Sequence, residues 1–131
     1  MFKIHKKFEK TSYYITDLKL CQVRLNDNAK FPWIMLLPKR KGVGQILDLN
    51  RKDQIRLMDE IQYCSKVMKK HFTCFNLNVE KVGNIIPQLH IHVIARHKQD
   101  PSWPLSVWVV KGKPYTKVAL SKILEKLRKV I

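Results

Sequence analysis

The sequence predicts an α+β domain built on an antiparallel sheet. Three observations carry this. Segments of strand length come as neighbours in hairpins, Cys21–Asn26 with Trp33–Leu37 and Phe75–Glu80 with Gln88–Ala95. One long amphipathic stretch between the hairpins has helical spacing. The strict strand–helix alternation of a parallel sheet is missing. A chain of 131 residues suits one compact domain, spanning 1–131.

Taken in order, residues 1–11 are polar and basic and are expected to be partly mobile. Cys21 to Asn26 alternates apolar and polar residues, as a half-buried strand does. Asn26-Asp27-Asn28 is a turn cluster, and Trp33 to Leu37 is a continuous apolar run stopped by Pro38. Lys39 to Gly44 reads as a basic loop. Asp48 or Asn50 can cap a helix running to about Phe72. Ile55, Met58, Ile61, Cys64 or Ser65, and Met68 recur at three- and four-residue steps along its inner face. Lys69, Lys70 and His71 fall in its last turn, where cations suit the helix dipole. Phe75 to Glu80 alternates, Val82-Gly83-Asn84 marks a turn, and Gln88 to Ala95 alternates again. Val107 to Val110 is a candidate short strand. Thr116 starts a C-terminal helix over 116–131, with Val118, Ile123, Leu127 and Val130 towards the core.

Composition narrows the function classes. No apolar run approaches the roughly 18 residues of a membrane span, and the basic N-terminus has no apolar stretch behind it, so a signal peptide is not expected. The three cysteines, Cys21, Cys64 and Cys74, match no zinc spacing and read as reduced thiols of a cytoplasmic protein. The formal charge of +16 either attracts an anionic partner or reflects a chain rich in Lys, Ile and Asn. The basic residues are spread along the chain, which favours the compositional reading and makes nucleic acid the weaker candidate partner.

The chemistry concentrates in Pro87-Gln88-Leu89-His90-Ile91-His92-Val93-Ile94. Alternate side chains of a strand share a face, so Gln88, His90 and His92 point together, about 7 Å apart at each step. Leu89, Ile91 and Val93 then point into the core. Much of a free imidazole is neutral at pH 7, and it can serve as a nucleophile or base. A second imidazole and an amide beside it can hydrogen-bond phosphate oxygens. The row suits covalent phosphoryl or nucleotidyl transfer. Spacing alone also allows a metal pair completed by His5, His71 or His97, and simple packing.

Gln88-Leu89-His90-Ile91-His92-Val93-Ile94 resembles the signature of the histidine triad (HIT) superfamily, in which three histidines alternate with apolar residues. Further matches lie in Phe31-Pro32-Trp33, Leu37-Pro38-Lys39, Asp48-Leu49, Gly83-Asn84, Asp100-Pro101 with Trp103-Pro104, and Val107-Trp108. Together they resemble a bacterial branch of diadenosine tetraphosphate hydrolase-like proteins carrying Gln at the first triad position.

The resemblance implies a five-stranded antiparallel sheet with a long helix and commonly a homodimer. It implies hydrolysis or transfer at the α-phosphate of a dinucleoside polyphosphate or nucleoside phosphoramidate. His90 would be the nucleophile that becomes nucleotidylated, and His92 the contact to phosphate oxygens and leaving group. No metal or other cofactor is implied for the covalent step. The glutamine departs from the triad: an amide hydrogen-bonds but exchanges no proton near pH 7. The alternative is therefore a nucleotide-binding module with little turnover. By the same resemblance Asn26 would meet the ribose, Gly83 and Asn84 the phosphates, and Asn78 and Trp103 would join the nucleotide site. Trp33 reads as core, and Arg96 carries no assigned role.

Overall fold

The computed structural model describes residues 1–131. Its elements run α1 (Lys6–Thr11), β1 (Ser12–Asp17), β2 (Cys21–Asn26), β3 (Trp33–Pro38), α2 (Arg51–His71), β4 (Asn76–Glu80), β5 (Ile91–Arg96) and α3 (Lys117–Val130). The strands form one five-stranded sheet in the order β1-β2-β3-β5-β4, every pair antiparallel. The expected fold class holds. No helix is long and apolar enough to cross a membrane.

The sheet is covered on both faces, which is why β3 and β5 are buried at every residue. On one face Val23, Leu25, Ile34, Leu36, Ile91, Val93 and Ala95 pack with Leu57, Cys64 and Met68 of α2 and Leu127 of α3. On the other, Trp33, Met35, Leu37 and Ile94 pack with Phe8 of α1, Phe31 and Val107. His92 lies on this second face, paired across the ladder with Met35 of β3 and Glu80 of β4. Cys21 and Cys64 lie inside the larger core and Cys74 is half-buried, all three as free thiols.

Several expectations need correction. Residues 1–11 are not loose throughout: Lys6–Thr11 is helical, and Phe8 is only 2% exposed. Ser12–Asp17 is a strand that sequence reading passed over, although Tyr-Tyr-Ile-Thr is rich in strand formers. Val107–Val109 is a single 3-10 turn rather than a strand, because Ser106 caps it through the Trp108 amide. Regular pairing of β5 begins at Ile91 and not at Gln88.

The inner face of α2 is also rotated from the expected one. Ile55 and Met58 are exposed, whereas Asp53, Leu57, Glu60, Cys64, Val67 and Met68 are buried. Two carboxylates sit on the buried face because each has partners there. Glu60 accepts the amides of Leu20 (2.9 Å) and Cys21 (2.8 Å), which fastens the β1–β2 turn to the helix. Asp53 takes both arms of the Arg40 guanidinium, at 2.7 and 3.0 Å. Asn50 caps the helix through the Asp53 amide. In α3, Val118 is exposed, and Leu120 and Leu124 join Ile123 and Leu127 against the core.

Arg96, at the end of β5, is buried to 1% exposure. Its guanidinium meets Asp100 at 2.6 and 3.0 Å, Asn78 Oδ1 at 2.8 Å, Ser102 Oγ at 3.1 Å and the Leu105 carbonyl at 2.7 Å. Asp100 also accepts the amides of His97, Ser102 and Trp103. Burial alone would raise the Asp100 carboxyl, but the bonds from Arg96 and from the Ser102 and His97 amides outweigh it and hold it at about 2. This cluster folds residues 97–106 back over the sheet. Removing one partner strands a buried charge, so Asp100→Ala is expected to lose about 3–5 kcal/mol in urea denaturation. The stability that Asp100 contributes should be complete above its ordinary value of 3.8 and fade as pH falls towards about 2.

Candidate functional site

The second face of the sheet opens into a cavity of about 530 Å³. The strands supply Asn26, Trp33, Met35, Glu80 and His92 to its lining, and His90 enters just ahead of β5. The loop after β4 supplies Val82, Gly83, Asn84, Ile85 and Ile86. Helix α1 supplies Lys7, Phe8 and Thr11, and the 3-10 turn supplies Trp108. Gly83 holds φ +74°, where a side chain is strained, and a Cβ there would lie 3.6 Å from the Ile86 carbonyl. Gly44 abuts the Pro87 carbonyl so closely that a Cβ would come within 2.8 Å of it. The Leu89 amide bonds the Val43 carbonyl at 3.0 Å. The entry to β5 is thus braced from the basic loop.

Both histidines are buried, His90 to 6% and His92 to 4% exposure, with ring centroids 4.8 Å apart. Their hydrogen-bond partners fix opposite tautomers. His90 Nδ1 lies 2.7 Å from the Gln88 carbonyl. A carbonyl only accepts, so Nδ1 carries the proton and Nε2 keeps its lone pair. For His92 the partner is Trp33, whose indole Nε1–H donates to Nδ1 at 2.9 Å. An indole only donates, so the proton of His92 sits on Nε2. One ring turns a free lone pair outward and its neighbour an N–H.

Burial sets the charge state of both. Desolvation lowers His90 below its ordinary 6.5, against the pull of the Gln88 carbonyl, and Lys81 adds to the lowering. His92 is pushed down to about 3, chiefly by desolvation and then by His90. Both imidazoles are neutral at pH 7. Trp33 and Trp108 stand edge-on to His92 at 5.5 and 5.3 Å. The Trp108 indole donates to Glu80 Oε1 at 2.9 Å, which holds that carboxylate to the wall.

Of the residues expected at the site, His90, His92, Asn26, Gly83 and Asn84 are brought together around the cavity. Gln88 contributes its backbone carbonyl, but its side chain turns away to the N-terminal segment. Asn78 is engaged by Arg96 and does not line the cavity. Trp103 packs on Phe75 at 5.6 Å and under the Arg96 guanidinium, also away from the cavity. Both were displaced by the buried Arg96 cluster, which no local pattern announces. Trp33 is core as expected, yet its indole N–H also reaches His92. Lys7, Phe8, Glu80 and Trp108 were missed because nothing in their spacing ties them to the histidine row. No group of three or more His, Cys, Asp or Glu side chains is placed to hold a metal.

Comparison with known proteins adds the family. Residues 7–99 match the HIT domain. The chain is similar in structure to a histidine triad protein from Bradyrhizobium japonicum, at 34% identity and TM-score 0.95, covering 99% of this chain and 98% of that one. A histidine triad protein from Marinobacter aquaeolei VT8 is 33% identical at TM-score 0.95, with 99% and 96% covered. A hypothetical histidine triad nucleotide-binding protein from Sulfolobus tokodaii, 16% identical at TM-score 0.70 with 95% and 86% covered, shares the fold. No curated protein matches. A HIT domain over most of the chain, on a five-stranded sheet that superposes on histidine triad proteins from end to end, makes this chain a member of the histidine triad family.

Proposed function

We propose that the protein is a nucleotidyl hydrolase or transferase that uses His90 as its nucleophile. The observation that carries this reading is the pair of opposite tautomers, set by the Gln88 carbonyl on one ring and the Trp33 indole on the other. In the proposed step the Nε2 lone pair of His90 attacks the α-phosphorus of a nucleotide. A His90–phosphorus bond forms, and the bond from phosphorus to the leaving group breaks with its electron pair. The imidazole becomes cationic, and the Gln88 carbonyl, already bonded to Nδ1–H, stabilises that charge. His92 donates Nε2–H to a phosphate oxygen. Water or another acceptor then takes the nucleotide from His90.

The same arrangement also bears on the leaving group. His92 is a neutral donor with a low proton affinity, and the Gln88 side chain faces elsewhere. No triad position holds a proton ready for a basic leaving group. A group that departs as a stable anion is served best, which favours a dinucleoside polyphosphate over a phosphoramidate. The diadenosine tetraphosphate hydrolase-like reading fits this. Lys7 lines the cavity and Lys81 acts on His90 from the adjoining loop, and both suit an anionic substrate. Asn26 is assigned to the ribose hydroxyls, and Gly83 and Asn84 to the phosphates. Asn78 and Trp103 would act from behind, through Arg96. The same lack of an acidic proton is what favours the second reading, a nucleotide-binding module with little turnover. A homodimer would pair along β4, one of the two edge strands, where Val79 is exposed, as is Phe75 just ahead of the strand.

Mixing the protein with labelled dinucleoside polyphosphate and quenching should trap label on His90. His90→Ala should lower turnover by roughly a thousandfold or more while the circular dichroism spectrum is unchanged. Nucleotide binding by calorimetry without product over hours would select the binding module instead. Because His90 must be neutral to attack and burial lowers its pKa, kcat/KM should stay level down to about pH 6.5 and fall only below it.

Trp33→Phe keeps an aromatic ring but removes the donor to His92. The orphaned acceptor should cost about 1–3 kcal/mol in stability. The His92 titration should move up from about 3, and kcat should fall about ten- to a hundredfold as the second tautomer becomes available.

A further inference from the structure

We propose that Gln88 is a positioning residue whose side-chain amide clasps the N-terminal segment and, through it, holds the Phe8 ring against His90. The clasp has two bonds. Gln88 Oε1 accepts the His5 amide at 2.8 Å, and Gln88 Nε2 donates to the Lys3 carbonyl at 2.8 Å. A primary amide presents an acceptor and a donor side by side, as a peptide group does. One side chain therefore substitutes for a strand partner to the backbone of residues 3–5, across more than eighty positions of sequence.

Each further link to His90 is a contact. His5 caps α1, its Nδ1 accepting the Lys7 amide at 3.1 Å, and the His5 carbonyl accepts the Phe8 amide at 3.0 Å. Phe8 is 2% exposed, and its ring stands edge-on to His90 with centroids 4.7 Å apart. The other end of α1 is fastened as well. Ser12 Oγ donates to the Phe8 carbonyl and accepts from Arg24 Nε at 2.7 Å. Helix α1 is pinned at both ends, and Gln88 is the pin at its N-terminal end. The same helix presents Lys7 and Thr11 to the cavity wall.

Other residues at position 88 fit these partners poorly. An imidazole's two nitrogens diverge, so it cannot present an acceptor and a donor side by side to groups two residues apart. A carboxylate keeps the acceptor but turns an oxygen towards the Lys3 carbonyl. Glutamine at this position thus has a task of its own. It excludes water from one side of His90 by means of Phe8, in keeping with the lowered His90 pKa. The charged and titratable groups around His90 are His92 on β5, Glu80 on β4, Lys81 in the loop after β4, Lys7 on α1, and His5 behind Phe8.

The inference rests on the proposed function only in taking His90 as the reactive group. Its test needs no turnover. The His90 ring resonances are titrated by NMR in the full chain, in Gln88→Ala, Gln88→Glu and Phe8→Leu, and in Phe8→Leu with each Gln88 change. Both Gln88 variants should move the His90 midpoint up towards its ordinary value and lose the nuclear Overhauser contact between the Phe8 and His90 rings, and Gln88→Ala, which also loses the acceptor, should exchange the His5 amide about tenfold faster. If Gln88→Ala does not fold, the nearly isosteric Gln88→Glu carries the comparison. In the Phe8→Leu background the Gln88 changes should have little further effect on the His90 midpoint, because the route through Phe8 is already cut. Where turnover is measured, KM should rise more than kcat falls. An unmoved His90 midpoint in the folded Gln88 variants would overturn the proposal, as would a shift of equal size with and without Phe8. A protein that turns over no nucleotide would sink the enzymatic reading and leave this titration intact.

Discussion

Everything at this site depends on keeping two imidazoles out of water without leaving either one short of a partner. A buried polar atom without a hydrogen bond costs roughly 1–3 kcal/mol. Each Nδ1 is answered by a group that can play only one part, a carbonyl for His90 and an indole N–H for His92. Because the partners are one-way, the outward nitrogens are decided too. The face turned to the cavity is a by-product of satisfying the buried one. The same burial that makes the partners necessary also keeps both rings neutral.

The scaffold supplies this through a strand covered on both sides. Leu89, Ile91, Val93 and Ala95 lock the register of the segment into the larger core, so a one-residue slip would push both histidines into it. At the far end of β5 the Arg96 guanidinium gathers Asn78, Asp100, Ser102 and the Leu105 carbonyl. That cluster returns the chain across the sheet and sets Trp108 beside Trp33, 5.1 Å from it. A group far from the histidines thereby shapes one wall of the cavity.

The alternation of the histidine row was legible because strand periodicity needs no tertiary information. Cys21–Asn26 and the Asn50 cap were legible for similar local reasons. The inner face of α2 was not. Ile55 and Met58 look apolar enough to be buried, and Asp53 and Glu60 do not, yet partners on distant strands and loops reverse the order. Arg96, Asn78 and Trp103 were obscure for the same reason, since a buried ion pair is defined by contacts from several segments. Gln88 was legible as a departure from the triad. Its side-chain partners were not, because a polar N-terminal segment gives no sign of what it docks against.

The thiols carry a practical consequence. Burial pushes the Cys21 thiol up and raises that of Cys64 to about 12, with Glu60 adding to both. A sulfur that neither ionises nor meets solvent is inert to maleimides, peroxide and mixed-disulfide exchange. Cys74, half-buried two residues ahead of β4, is left as the one point where a fluorophore or spin label attaches to the native chain. A label there sits beside β4 without any engineered cysteine.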